Sequence, residues 1–199
     1  NKVTEPKSKM YVGQGKNPVA IMRTSWTNPD AIFVGTKGGS ASINHAHMDI
    51  GSFVMEANGV RWAMDFGMQD YESLESKGIK VFGREQDAER WNIFRYNNLA
   101  HNTLTVNNEF QDVAGYAPII SSSSKDDFMN AVIDMTDVYK KSLLKANRGV
   151  AIVDQKYVVI RDEIETHSKE ACVRWTLLTP AEVKITSDNK AELTDDEKR

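Results

Sequence analysis

The sequence predicts an all-β protein: a large antiparallel β-sandwich of about ten or more short strands with one or two short helical turns. Three observations carry that expectation. Short runs of β-branched, aliphatic and aromatic residues recur along the 199-residue chain, most of them closed by Asn, Asp, Lys or Gly. The dipeptide Asn58-Gly59 stands between two such runs, and a two-residue hairpin turn matching the strand twist needs residues that tolerate positive φ at both places. Apolar spacings of three and four, the mark of an amphipathic helix, are confined to two brief stretches.

The elements follow in order. Residues 19–25 and 31–36 read as a first pair of strands, with Asn28-Pro29-Asp30 as the turn between them. Gly38-Gly39-Ser40 breaks the second strand just before Asn44-His45-Ala46-His47-Met48-Asp49-Ile50-Gly51-Ser52-Phe53. On extended backbone alternate residues share a face, so His45, His47 and Asp49 are expected to project together. The hairpin about Asn58-Gly59 then brings Asp65, near the end of the return strand, back beside the strand leaving the histidines. Beyond Gly67 the pattern loosens. Residues 71–78 and 87–95 are the expected helical turns, the second with Trp91, Phe94 and Arg95 at helical spacing. β character returns at His101-Asn102-Thr103-Leu104-Thr105-Val106 and continues through 117–124, 128–135, 148–154, 157–164, 171–178 and 183–186. Residues 1–18 are read as an N-terminal extension or cut linker and 19–199 as one sandwich domain. The charged stretch 189–199 is expected to fray.

Composition narrows the function. With 25 Lys and Arg against 28 Asp and Glu, the formal net charge is −3. That leaves no basic footprint for nucleic acid and no cationic run for a membrane surface. No apolar stretch has transmembrane length, and no signal-like segment opens the chain. Cys172 is the only cysteine, which excludes disulfide and thiolate–metal frameworks. It is expected to be a small apolar residue in a strand.

Chemistry concentrates at the histidines. His47, Asp65 and His101 together supply two imidazoles and one carboxylate, a donor set that suits zinc with a water or fourth group completing a tetrahedron. Calcium prefers more oxygen ligands, and magnesium keeps several waters. His45 is either a fourth ligand or free to meet a substrate. Asp49 is placed to orient an imidazole through its second nitrogen. Tyr71, shortly past Gly67, can stack on a sugar ring at a cleft edge, and Arg95 and Tyr96 are read as structural. His167, in a polar Glu-Thr-His-Ser turn, reads as a solvated surface residue. The Gly39…His45-x-His47 spacing also resembles half of a cupin motif, but the glutamate expected soon after the second histidine is missing and Glu56 comes too late.

The pieces running from Asn44 to Phe53, Trp62-Ala63-Met64-Asp65-Phe66-Gly67 with Tyr71, and Ala100-His101-Asn102-Thr103-Leu104-Thr105-Val106 resemble the C-terminal β domain of heparinase II/III-type polysaccharide lyases. The resemblance extends over roughly residues 21–178. It implies that His47, Asp65 and His101 match the family's zinc ligands, the zinc being structural, and that His45 is left free for substrate. It also implies that Asn44 and His45 reach the uronate of an acidic polysaccharide such as heparan sulfate or alginate, cleaved by β-elimination. In that family an N-terminal (α/α) toroid supplies the tyrosine acid and a second histidine or asparagine, so this chain is expected to carry half of an active site and to be inactive alone. A periplasmic or secreted parent protein is implied as well. The alternative reading is a non-catalytic carbohydrate-binding or structural sandwich module.

Overall fold

The computed structural model describes residues 4–167 and 170–195. Five strands come first in the chain: β1 (Met10–Gly13), β2 (Val19–Arg23), β3 (Phe33–Lys37), β4 (Phe53–Ala57) and β5 (Val60–Ala63). A single α-helix, α1 (Tyr71–Glu75), and three short 3-10 turns at Glu89–Asn92, Phe94–Tyr96 and Asn98–Ala100 lead to β6 (Leu104–Val106). Then come β7 (Ile119–Lys125), β8 (Phe128–Asp134), β9 (Leu143–Val153) and β10 (Tyr157–Thr166). The last are β11 (Val173–Trp175), β12 (Glu182–Ser187) and β13 (Lys190–Thr194).

All strand pairings among the described residues are antiparallel. β1 to β5 form one sheet in chain order, β10-β9-β8-β7 form a second, and β6–β11 and β12–β13 are two-stranded pairs. The fold class read from the sequence is therefore the one observed. Met10–Gly13, inside the stretch expected to be an extension, pairs with β2 as an edge strand.

Period-two burial explains the sandwich. In β2 and β3 alternate residues are buried, and β8 alternates likewise. Met22 and Val34 from the first sheet meet Met129, Val150 and Ile152 from the second in one apolar cluster. Each such side chain contributes about 1.5–3 kcal/mol on leaving water, and the alternation sends all of them to one interface. The β4–β5 turn forms as expected, with φ of 56° at Asn58 and 73° at Gly59.

The excursion between β5 and β6 has its own small core. Met48, Leu74, Val81, Trp91, Tyr96 and Val113 pack together beneath it. Helix α1 starts there because the Asp70 carboxylate accepts the Ser73 N–H at 2.9 Å, an N-cap that satisfies one otherwise unpaired donor. Cys172 departs from expectation: it is exposed and lies just before β11. It sits on an edge that is solvated, so no apolar burial selects it there. His167 is exposed, as expected.

Candidate functional site

The histidine segment is not a strand. Residues 41–52 form successive turns, closed by Ala46 N–H to the Ile43 carbonyl at 3.1 Å and Ser52 N–H to the Asp49 carbonyl at 3.0 Å. His45 has φ of 60°, in the left-handed region. The shared-face expectation therefore fails, because it assumed a pleat that these turns replace. His45 and Asn44 end up exposed at the loop tip, while His47 turns inward.

Three contacts fix this loop. Met48 N–H donates to the Tyr96 carbonyl at 2.9 Å. The buried Arg90 guanidinium donates to the Ala46 carbonyl at 2.8 Å. Farther on, Gly51 has φ of 78°, and a Cβ there would overlap the Met135 sulfur. A side chain there would be strained by that φ and would displace Met135, whereas the Gly51 carbonyl accepts from Arg148 at 2.9 Å.

His47 lies against the Tyr96 ring with centroids 4.4 Å apart, and its ring is 5.6 Å from that of His101. Burial pushes the His47 imidazole down to about 4 from its ordinary 6.5, with His101 and Arg90 adding to the effect and Asp49 and Asp65 opposing it. At neutral pH it is uncharged, with a nitrogen lone pair available. Asp65 lies two residues beyond β5, and its Oδ2 is 2.6 Å from His101 Nδ1. Burial works to raise the Asp65 pKa, but the His101 hydrogen bond and the Gly67 N–H at 2.7 Å outweigh it and hold the carboxyl below its ordinary value. His101 is fully buried, and its Nε2 has no hydrogen-bond partner.

The fold thus brings together three residues that are separated in sequence: His47 from the loop, Asp65 from the end of the hairpin and His101 from the turn before β6. In kind, two imidazoles and a carboxylate fit zinc, and the unpartnered Nε2 of a buried imidazole fits a missing ligand. As the side chains stand, Asp65 is engaged by His101 Nδ1. Among the described residues no three His, Cys, Asp or Glu side chains are already spaced as a cage.

The other expected residues are placed as follows. Tyr71 OH is 3.1 Å from His45 Nδ1, and the two rings run nearly parallel at 14°. Asn44 Oδ1 accepts from Arg84 Nη2 at 3.0 Å. Asp49 does not orient an imidazole; its carboxylate pairs with Lys37 Nζ at 2.7 Å. The flexible ammonium reaches it from β3, which sequence spacing does not reveal. Arg95 donates to the Phe66 carbonyl at 2.8 Å, and Tyr96 OH to the Gln69 carbonyl at 2.9 Å; both roles are structural. Asp49, Asp65 and Lys37 open onto a groove of about 320 Å³ that continues over Ile21, Phe33 and Val54 of the first sheet. A larger apolar cavity of about 850 Å³, between β5, β10, β11 and the β12–β13 hairpin, holds none of the site side chains.

Four residues of this architecture escaped the sequence reading: Arg84, Arg90, Asn102 and Arg148. Asn102 Nδ2 donates to the Phe53 carbonyl at 2.7 Å and the Met64 carbonyl at 2.8 Å. It thereby ties the two strands of the hairpin's open end to His101's neighbour. Arg148 is fully buried, forms a bidentate pair with Asp162 at 2.7 and 2.8 Å, and donates to the Gly51 and Asn102 carbonyls at 2.9 Å. Asn102 had a signal, its place beside His101 in a distinctive run. Arg148 looked like any strand-opening charge.

Among the described residues no helix is long and apolar enough to cross a membrane. A search of curated proteins finds no match. Solved structures do match in fold. A heparinase III, the BT4657 gene product, superposes with a TM-score of 0.69 at 23% identity, covering 92% of this chain and 26% of its own. Another heparinase III gives 0.68 at 18%, covering 93% of this chain and 27% of its own. A mutant of heparan sulfate lyase HepC from Pedobacter heparinus gives 0.68 at 16%, covering 91% and 26%. The chain thus spans about a quarter of the length of these structures. Residues 22–199 match the family described as Heparinase II/III-like, C-terminal, and the chain belongs to that family.

Proposed function

We propose that this chain is the β domain of a polysaccharide lyase that cleaves uronate-containing chains, of the heparan sulfate or alginate type, by β-elimination outside the cytoplasm. It contributes half of the active site, and a toroidal N-terminal domain of the same polypeptide contributes the rest. The observation that carries this reading is the tip at Asn44 and His45: two exposed polar side chains on a loop hydrogen-bonded from beneath, each with one atom engaged by the protein and the other left for a ligand. Family membership and the heparan-directed names of structural relatives support the substrate class.

The chemistry balances with these groups. A base takes the C5 proton of the uronate, the C4–O bond breaks as a C4=C5 double bond forms, and the departing oxygen takes a proton. Negative charge gathers on the neighbouring carboxylate meanwhile, and C5 is too weak an acid unless that charge is met. Asn44 Nδ2 offers N–H donors to it. His45, bonded through Nδ1 to Tyr71, presents Nε2 for hydrogen bonding or proton transfer. Tyr71 lines the edge where a sugar ring passes. His47, Asp65 and His101 would hold zinc. When bound, zinc supplies a structural cross-link among the loop, the hairpin end and the turn before β6.

The test uses the full-length protein on heparan sulfate and on alginate, following the ultraviolet absorbance of the unsaturated uronate. Product should appear on one of them, and His45→Ala should slow it by at least about 100-fold. No product from either chain, in active-site-intact protein, rejects the lyase reading. For the metal, elemental analysis should find zinc that His101→Ala loses, and a chelator should lower stability by at most a few kcal/mol. Outright unfolding on chelation would contradict a merely cross-linking metal.

A further inference from the structure

We propose that Arg84 is a positioning residue for the elimination: it fixes the orientation of the Asn44 side-chain amide so that its N–H donors face the substrate. The inference rests on the lyase reading for its catalytic meaning and on geometry for its mechanism.

An asparagine amide can present either its oxygen or its NH2 group, and the two ends differ little in shape. Which end faces a ligand is decided by what the other end bonds. A guanidinium carries only donors and cannot accept, so the Arg84 Nη2 contact at 3.0 Å engages Asn44 through Oδ1. The amide is thereby turned with Nδ2 away from Arg84. A carboxylate gathering negative charge needs that end, whereas the reverse rotamer would aim an oxygen lone pair at it. A charged donor on the carbonyl also polarises the amide and makes its N–H bonds better donors.

Arg84 is exposed, yet the backbone that follows it is anchored. Trp91 is buried, and its indole N–H donates to the Glu85 carbonyl at 2.7 Å. The Gln86 side chain bridges to the Gln111 carbonyl at 3.0 Å and the Val113 N–H at 2.9 Å. The Glu85 carboxylate folds back onto the Arg84 N–H at 3.0 Å. The guanidinium therefore starts from a fixed base. Tyr71 does for His45 what Arg84 does for Asn44, since its hydroxyl engages Nδ1 at 3.1 Å. Both orienting side chains come from one segment, residues 71–84, so the excursion acts as a clamp on the neighbouring pair.

The experiment compares Arg84→Ala, Arg84→Lys and Arg84→Glu in the full-length protein with heparan sulfate. Misaligning a group that meets developing charge costs on the order of 10- to 100-fold. Arg84→Ala should lower kcat by that factor with little change in KM. Arg84→Lys, still a pure donor, should recover most of the loss. Arg84→Glu, a pure acceptor that turns the amide round, should be worse than Arg84→Ala. In an Asn44→Ala background Arg84→Ala should have no further effect. Independent losses in the double variant, or an effect confined to KM, overturn the proposal in favour of direct contact with substrate. An arm without activity separates this from the lyase reading. With asparagine-selective ¹⁵N labelling of the full chain, the Asn44 NH2 signals, assigned by their loss in Asn44→Asp, should move in Arg84→Ala and stay in Arg84→Lys. Indifferent Asn44 signals overturn the positioning role whether or not the protein is a lyase.

Discussion

The four-stranded sheet and the excursion at residues 64–103 satisfy their backbones in opposite ways. In the sheet, β8 and β9 pair residue for residue from Phe128 with Val153 to Asp134 with Asn147, so the polar main chain is met by main chain. In the excursion much of that task falls to single side chains. Asn97 donates to the Trp91 carbonyl at 3.0 Å, Asn102 to Phe53 and Met64, Arg95 to Phe66, and Trp91 to Glu85. A ladder is redundant and tolerates the loss of one side chain. A clasp made by one amide is not redundant, but it frees the backbone from the pleat, and side chains can then converge from any direction. The site is built where the ladder stops.

That contrast can be broken most forcefully at Arg148, where the two regions are joined. Arg148→Met strands the Asp162 carboxylate and the Gly51 and Asn102 carbonyls, and should cost about 3–5 kcal/mol in urea unfolding. A loss below about 1 kcal/mol would mean that sheet and excursion are not coupled there. Asn102→Ala should cost about 2–3 kcal/mol, since it leaves two carbonyls of the hairpin end without their donor. Acid sharpens the contrast next. The unfolded chain protonates His47 near its ordinary 6.5 whereas the folded one resists until about 4, so between those values the unfolded state binds the extra proton. Stability of the metal-free protein should therefore fall as pH drops through that window. Melting temperatures should show the slope, and His47→Gln should flatten it. The smallest effect belongs to the sheet: Ser122→Ala, exposed on β7 opposite Ala131, should shift stability by no more than about 0.5 kcal/mol.

Legibility followed the same division. The Asn58-Gly59 hairpin and the alternating strands could be read because turn chemistry and period-two burial are local properties. The identities of the convergent residues His47, Asp65 and His101 could be read as a chemically coherent set. Their backbone setting could not. His45 sits at φ 60° because turns closed by Ile43 and Asp49 carbonyls displace the strand that an alternating His-x-His suggests. Asp49 was placed beside an imidazole by spacing, but Lys37, reaching over from β3, takes its carboxylate. Arg84, Arg90 and Arg148 were invisible as site residues, because a lone arginine in sequence carries no sign of which carbonyl or amide it will meet.

The amino-acid sequence by itself determined the all-β class, the hairpin and the family, since each is written in short-range patterns of burial, turn propensity and motif spacing. The tertiary structure alone decided which way the polar side chains face: that Asn44 is held by its oxygen, His45 by Nδ1 and His101 by Asp65. Those choices depend on donors and acceptors brought from dozens of residues away, and only the packed chain sets the distances over which hydrogen bonds select an orientation.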